Sequence, residues 1–586
     1  MKRIEMSTQS VKTQISVLAL SLGLVLQGCS QLATQQASKV TTQDYATEAP
    51  QPVAPVAPAP QEMLEPVMGA QTLSSASSEN LMQKRMVAGQ VQPLMLGYSD
   101  QDGTGTLRTR TLAENNVVEN TEKYQKTDQN PIRVVTETPI STFSIDVDTG
   151  SYANVRRFLA DNGRLPPVDA VRIEELVNYF NYDYPQAQGK APFSVTTETV
   201  DSPWKENAKI IKIGIKAKDI ASKELPPANL VFLVDVSGSM DESSKLPLVK
   251  KTLRLLTEQL RPQDKVTLIT YASGEKLVLE PTSGREKDKI LKAINELSAG
   301  GATAGEQAIQ LAYKEAQKAF VKDGINRILL ATDGDFNVGI TNFETLKGLV
   351  AEKRKGGVSL TTLGYGTGNY NEALMEQLAD AGDGNYSYID NEKEAKKVLQ
   401  RQLSSTLATV AQDVKIQVEF NPATVKEYRL IGYENRMLNQ EDFNNDKVDA
   451  GDIGAGHTVT ALYEIIPTGQ KGWMNDSRYQ DQKVSKGTAN EYAYLNLRYK
   501  EPNQSKSLLI SQPIAVGSKP LASASADTRF ALAVAAYGQQ LKGGEYNGKM
   551  GWNEILSLAQ GASKPDPYAL RAEFVDLVKT AKSLNQ

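Results

Sequence analysis

Three side chains within a five-residue stretch could hold a metal ion: Asp235, Ser237 and Ser239, at two-residue spacing around Gly238. One carboxylate and two hydroxyls offer only hard oxygen donors, which suit Mg²⁺, Mn²⁺ or Ca²⁺ rather than zinc. The apolar run Val231 to Val234 leads into Asp235. Beyond the loop, Leu246, Val249, Leu253, Leu256 and Leu260 recur at the spacing of one helical face. A buried strand, a tight loop and a helix form the first unit of an open α/β sheet. In such sheets ligands lie beyond the carboxyl ends of the strands, which is where this loop falls.

The loop resembles the metal-ion-dependent adhesion site of von Willebrand factor type A (VWA) domains. In that family a D-x-S-x-S loop is completed by a distant threonine and a distant aspartate. The matching positions are Asp235, Ser237 and Ser239, then Thr303 in GGATAG and Asp333 in LLATDGD. The resemblance implies that Ser237 and Ser239 bind the cation directly, and Thr303 directly or through water. Asp235 and Asp333 would act partly through waters. Mg²⁺ is the first expectation, with Mn²⁺ or Ca²⁺ as alternatives. Mostly neutral direct ligands leave the cation with charge and an open position, which an acidic residue of a protein partner can fill. The expectation is a binding protein with no catalytic residue. Asp241 and Asp335 stand near the rim. There they would add charge behind the ligands or repel a wrong partner. Two other readings stay open: a passive scaffold with a structural metal, and a metal-dependent hydrolase whose general base would be Asp335.

The elements that must position these residues are legible as alternating patterns. NLVFLVD, KVTLITY (265–271), RILLAT (327–332), VSLTTLGYG (358–366) and YSYID (386–390) read as strands. Helical patterns fall at 244–260, 286–297, 305–320, 342–354, 371–380 and 391–408. This rhythm predicts a mostly parallel, doubly wound, Rossmann-like sheet with helices on both faces, and an antiparallel edge strand near 275–280. Period-two runs flank it: 193–200 and 208–218 before, and 413–420, 458–467, 491–500 and 507–516 after. They predict one β-sandwich built from both sides, with the α/β domain inserted. Helical periodicity over 526–586 predicts two or three helices on the body. The segment 141–185 resembles the N-terminal module of a family of bacterial VWA-domain lipoproteins, and 428–467 resembles that family's C-terminal module. The expected organisation is a VWA-associated module at 117–227, the VWA domain at 228–408 and a C-terminal module at 409–586.

The beginning of the chain reads as address and tether. Lys2, Arg3 and Lys12 precede the apolar run ISVLALSLGLVL, and Leu26-Gln27-Gly28-Cys29 resembles the lipobox of bacterial lipoproteins. That implies a signal peptide over 1–28, removed in the mature protein, and lipidation (palmitate among the acyl chains) of Cys29. Ser30, which is not Asp, implies sorting to the outer membrane of a Gram-negative envelope, with the body in the periplasm. Residues 29–116 are rich in Gln, Ala, Ser, Thr and Pro, too polar to fold alone. As a disordered coil they would span roughly 50 Å.

Composition excludes much else. A net charge of -4 argues against nucleic acid as partner. The single cysteine excludes internal disulfides and cysteine-based zinc sites, and the single histidine, His457, excludes multi-histidine sites. No Walker lysine loop is present, and Gly364-Tyr-Gly366-Thr-Gly368 has the wrong spacing for a dinucleotide loop, so no nucleotide is expected. Ser273 and Lys276 match S-x-x-K without the companion K-T-G. Asp146 and Asp148 begin like a calcium loop that lacks its final glutamate. They are expected to cap helices or pair with Arg156, Arg157 or Arg172. Asp442, Asn444 and Asp446 stand at alternate positions but Lys447 replaces the glycine of a calcium loop, so they read as an acidic hairpin loop, with a second cation site as the alternative.

Overall fold

A computed structural model describes residues 121–189, 191–221, 224–302, 305–334, 343–401, 409–475, 488–502 and 504–585. All lie in the compact unit Leu112–Gln586. The expected signal peptide, Cys29 and the expected tether fall outside the described residues.

A six-stranded sheet carries the α/β domain. Its order is Tyr386–Tyr388, Ser359–Gly364, Ile325–Thr332, Ala228–Asp235, Lys265–Tyr271 and Glu275–Ser283. The first five strands run parallel and the last is an antiparallel edge strand. Ala228–Asp235 is buried on both faces. Leu230, Phe232 and Val234 pack with Val249, Leu253 and Leu256 of the helix Leu246–Gln259. Val231 and Leu233 pack on the opposite face with Ala308, Ile309 and Ala312 of Gly305–Lys318. A strand apolar at every position needs cover on both sides, and the helices supply it.

The flanking strands build two further sheets, each with strands from both sides of the α/β domain. One runs Arg133–Val134, Val425–Ile431, Thr458–Pro467, Lys209–Ala217 and Phe193–Asp201. The other runs Ile453–Gly454, Thr409–Phe420, Glu491–Lys500 and Ser507–Ala515, with Ile140–Ser144 also paired to Thr409–Phe420. In the first, Val459, Ala461 and Tyr463 lie opposite Ile215, Ile213 and Ile211. These inward faces share one core with Phe143, Ile416, Val418, Leu495 and Leu497 of the second sheet. The α/β domain is therefore inserted into a β-sandwich, as the alternating runs predict. Three C-terminal helices, Ala526–Leu541, Trp552–Ala562 and Leu570–Leu584, pack with Gly150–Ala160 and Ile173–Asn178. Phe180, Phe530 and Phe574 meet edge to face at their centre.

Buried arginines stitch the inserted domain to its surroundings, and in each pairing the arginine lies outside that domain. Arg156 binds Asp390 and Glu394, and also Glu573 of the last helix. Arg172 binds Glu372 and Glu376, together with its own neighbour Glu175. Arg436 binds Glu376 and Asp380, and also Asp146 and Asp148. The last pairing corrects one expectation. Asp146 and Asp148 answer to an arginine from beyond the α/β domain, because the sandwich closes that arginine onto them; Arg156, Arg157 and Arg172 have other partners. No helix among the described residues is long and apolar enough to cross a membrane.

Candidate metal centre

Asp235 is the last residue of the central strand and Asp333 directly follows the neighbouring strand Ile325–Thr332. Parallel pairing of the two strands brings both carboxylates to the same end of the sheet. Both residues are fully buried. Asp235 Oδ1 accepts the Ser237 N–H at 2.9 Å, which turns the chain back on itself directly after the strand. Its Oδ2 accepts Thr332 Oγ1 at 2.8 Å. The Gly334 N–H donates to Thr332 Oγ1 at 3.1 Å. Burial, with a further push from the charge of Asp333, raises the Asp235 carboxyl to about 6, against the hydrogen bonds from Ser237 and Thr332. The Oγ atoms of Ser237 and Ser239 are 3.0 Å apart. Gly238 donates its N–H to Gly301 O at 2.9 Å, pinning the D-x-S-x-S loop to the loop before position 303.

The donor set fits a hard divalent cation: two carboxylates held close in a buried place and two hydroxyls beside them, with no nitrogen or sulfur. Thr303 and Asp335 lie outside the described residues. Asp241 is exposed just past the short helix Gly238–Met240.

Three residues at this apex escape a reading of motifs. Lys245 sits directly before the helix Leu246–Gln259, is 2% exposed, and donates from Nζ to Asp333 Oδ2 at 3.1 Å. Asn369 takes the same ammonium on Oδ1 at 3.2 Å and donates from Nδ2 to Asp333 Oδ2, also at 3.2 Å. Thr332 holds Asp235, as above. The only local signal was a polar residue beside each motif, and many loops have that.

The glycine-rich loop 364–368 serves this apex. Gly366 has φ +77°, and a Cβ there would lie 2.4 Å from Lys245 Cε. Gly366→Ala is expected to lower stability by about 1–2 kcal/mol, from left-handed strain and displacement of the lysine stem. Urea unfolding at fixed pH checks it; an unchanged midpoint would show that the loop adapts. The first described residues strap the same loop. Thr121 donates its N–H to Gly368 O at 2.8 Å, and Gly368 donates to Glu122 Oε1 at 2.9 Å. Glu122 is in turn held by Arg157 at 2.9 Å.

Other sequence candidates have ordinary work. Ser273 Oγ accepts the Ala302 N–H at 3.0 Å and so holds the loop that reaches Gly238. In the 442–446 loop, Lys415 and Lys500 donate to the carbonyls of Asp442, Asn445 and Asp446. The three side chains are engaged as well: Asp442 Oδ2 accepts from Asn439, Asn444 Oδ1 from Arg498 and Asp446 Oδ2 from Ser507.

Three family models match consecutive parts of the chain. Residues 229–402 match the von Willebrand factor type A domain model. Residues 118–212 match a model described as von Willebrand factor, and 405–584 match the model of the C-terminal part of uncharacterized protein YfbK. The uncharacterized protein YfbK of Escherichia coli is 49% identical over 470 residues, covering 79% of this chain and 81% of that one. An uncharacterized Synechocystis protein is 27% identical over 326 residues, covering 55% of this chain and 73% of its own. Among solved structures, a von Willebrand factor type A protein from Catenulispora acidiphila has a TM-score of 0.38 at 15% identity, covering 68% of this chain and 92% of that one.

Proposed function

The chain belongs to the family of Escherichia coli YfbK and contains a von Willebrand factor type A domain, and from that premise we propose that it is a lipid-anchored envelope protein that binds a protein partner through a divalent cation. Asp235, Ser237, Ser239, Thr303 and Asp333 hold the cation, Mg²⁺ first and Mn²⁺ or Ca²⁺ as alternatives. An acidic side chain of the partner completes it. Cys29 carries the lipid, the outer membrane receives it, and the body stands in the periplasm. The protein has no catalytic role.

The observation that carries this reading is the pairing of two fully buried carboxylates with two hydroxyls 3.0 Å apart at the carboxyl end of the sheet. Burial and the charge of Asp333 raise the cost of ionising Asp235, and a divalent cation relieves it. VWA domains are a recurrent protein-interaction module, which supports a partner over a purely structural ion.

The test uses the purified full chain in detergent, immobilised through its C-terminus and exposed to envelope extract. A partner captured in Mg²⁺, lost in EDTA and lost with Asp235→Ala is the expected result. Equal capture in all three conditions would place binding away from the cation.

A further inference from the structure

Lys245 has no reason to be where it is on account of its helix. It occupies the position directly before Leu246–Gln259. Ser, Thr, Asp or Asn are preferred there, and the positive end of the helix dipole disfavours a cation. It is also almost fully buried, which a lysine does not tolerate without an anionic partner. Its stem passes over Gly366, where a side chain would collide with it. Its ammonium ends between Asp333 Oδ2 and Asn369 Oδ1. Among the described residues the other acid paired with it is Glu242 at 3.6 Å, whose side chain is 55% exposed and so contributes little.

We infer that Lys245 is the built-in counter-ion of the cation site: it neutralises Asp333 when no divalent ion is bound, holds down the site's affinity for that ion, and leaves the loaded site positive. The inference rests on the cation-site reading above. Its physical basis is charge. With Lys245 present, the two carboxylates and the ammonium sum to minus one, and a divalent ion brings the site to plus one. Without it the loaded site would be neutral and would have little Coulombic call on an acidic partner. Lys245 thus trades tight ion binding for attraction of a carboxylate. Asn369 fixes the ammonium on the Asp333 oxygen it contacts, so Lys245 is a positioning residue acting through Asp333.

The experiment measures Mn²⁺ affinity of the full chain by electron paramagnetic resonance and thermal midpoints in EDTA and in Mn²⁺. Lys245→Gln removes the charge and keeps hydrogen-bonding capacity, Lys245→Met removes both, and Lys245→Arg keeps the charge. Removing a positive charge so near the ion is expected to tighten Mn²⁺ binding about tenfold or more in the Gln and Met variants. Both should lose thermal stability in EDTA and regain it in Mn²⁺, whereas Lys245→Arg should stay within about twofold of the unaltered chain. Should the Met variant not fold, the Gln variant alone decides. Unchanged or weaker Mn²⁺ binding in Lys245→Gln, with Asp235→Ala abolishing binding, would overturn the counter-ion role and leave the cation site intact. An unaltered chain that binds no Mn²⁺ would overturn both.

Discussion

Arg172→Ala is expected to destabilise the chain by about 3–5 kcal/mol, because it leaves buried carboxylates without their counter-ion. Arg172 is 2% exposed and is bound by Glu175 from its own module and by Glu372 and Glu376 from the inserted domain. Those three carboxylates are themselves 0%, 1% and 1% exposed. With the guanidinium gone they must take up protons or draw in water, and either response loosens the seam between the inserted domain and its surroundings. Arg172→Lys should recover only part of the loss, since an ammonium cannot present the planar fork that several carboxylates share. Equilibrium denaturation measures the effect. A loss under about 1 kcal/mol would mean that the seam is not a source of stability and that the arginine merely balances its acids.

The second large effect is on pH dependence. Glu174 and Glu175 begin the helix Ile173–Asn178 at the same seam. Burial, with the neighbouring charges of Glu434, Asp146 and Glu175, pushes the Glu174 carboxyl up to about 8. Burial raises Glu175 to about 7 against the opposing pull of Arg172, and Asp146 and Glu376 add to the rise. Burial also raises Asp148 and Glu376. A carboxyl whose folded pKa lies above its unfolded value binds more protons folded than unfolded, so stability falls as pH rises between the two values. For Glu174 that window runs from the ordinary glutamate range, near 4.5, to about 8. The loss is complete above it and amounts to up to about 5 kcal/mol. Glu174→Gln removes that contribution and should unfold at higher denaturant than the unaltered chain at pH 8.5, with a smaller difference between pH 5.5 and 8.5. Parallel pH profiles for the two proteins would sink the assignment of the slope to Glu174.

Much of the fold was legible because it follows from local periods. Leu246, Val249, Leu253, Leu256 and Leu260 mark a helix by spacing alone, and the structure has it at Leu246–Gln259. The antiparallel edge strand expected near 275–280 runs Glu275–Ser283. The two alternating runs before the inserted domain form the hairpin Phe193–Asp201 with Lys209–Ala217. That the flanking strands form one sandwich followed from half-buried alternation on both sides of the insert, since neither set could cover its own apolar face.

The strand–loop–helix unit, the oxygen-donor side chains of Asp235, Ser237 and Ser239, and the inserted architecture were therefore readable along the chain. Backbone period and residue type carry each of these over a few neighbouring positions. Which charges meet was set by packing. Lys245 and Asp333 are 88 residues apart, and Arg436 and Asp148 are 288 apart. Nothing in local spacing specifies such a pairing, because it depends on which element ends pack together once the core has closed. The glycine-rich loop 364–368 shows the same limit. Its motif looked like a failed nucleotide site, and the space above Gly366 turned out to be the channel for a lysine from another element.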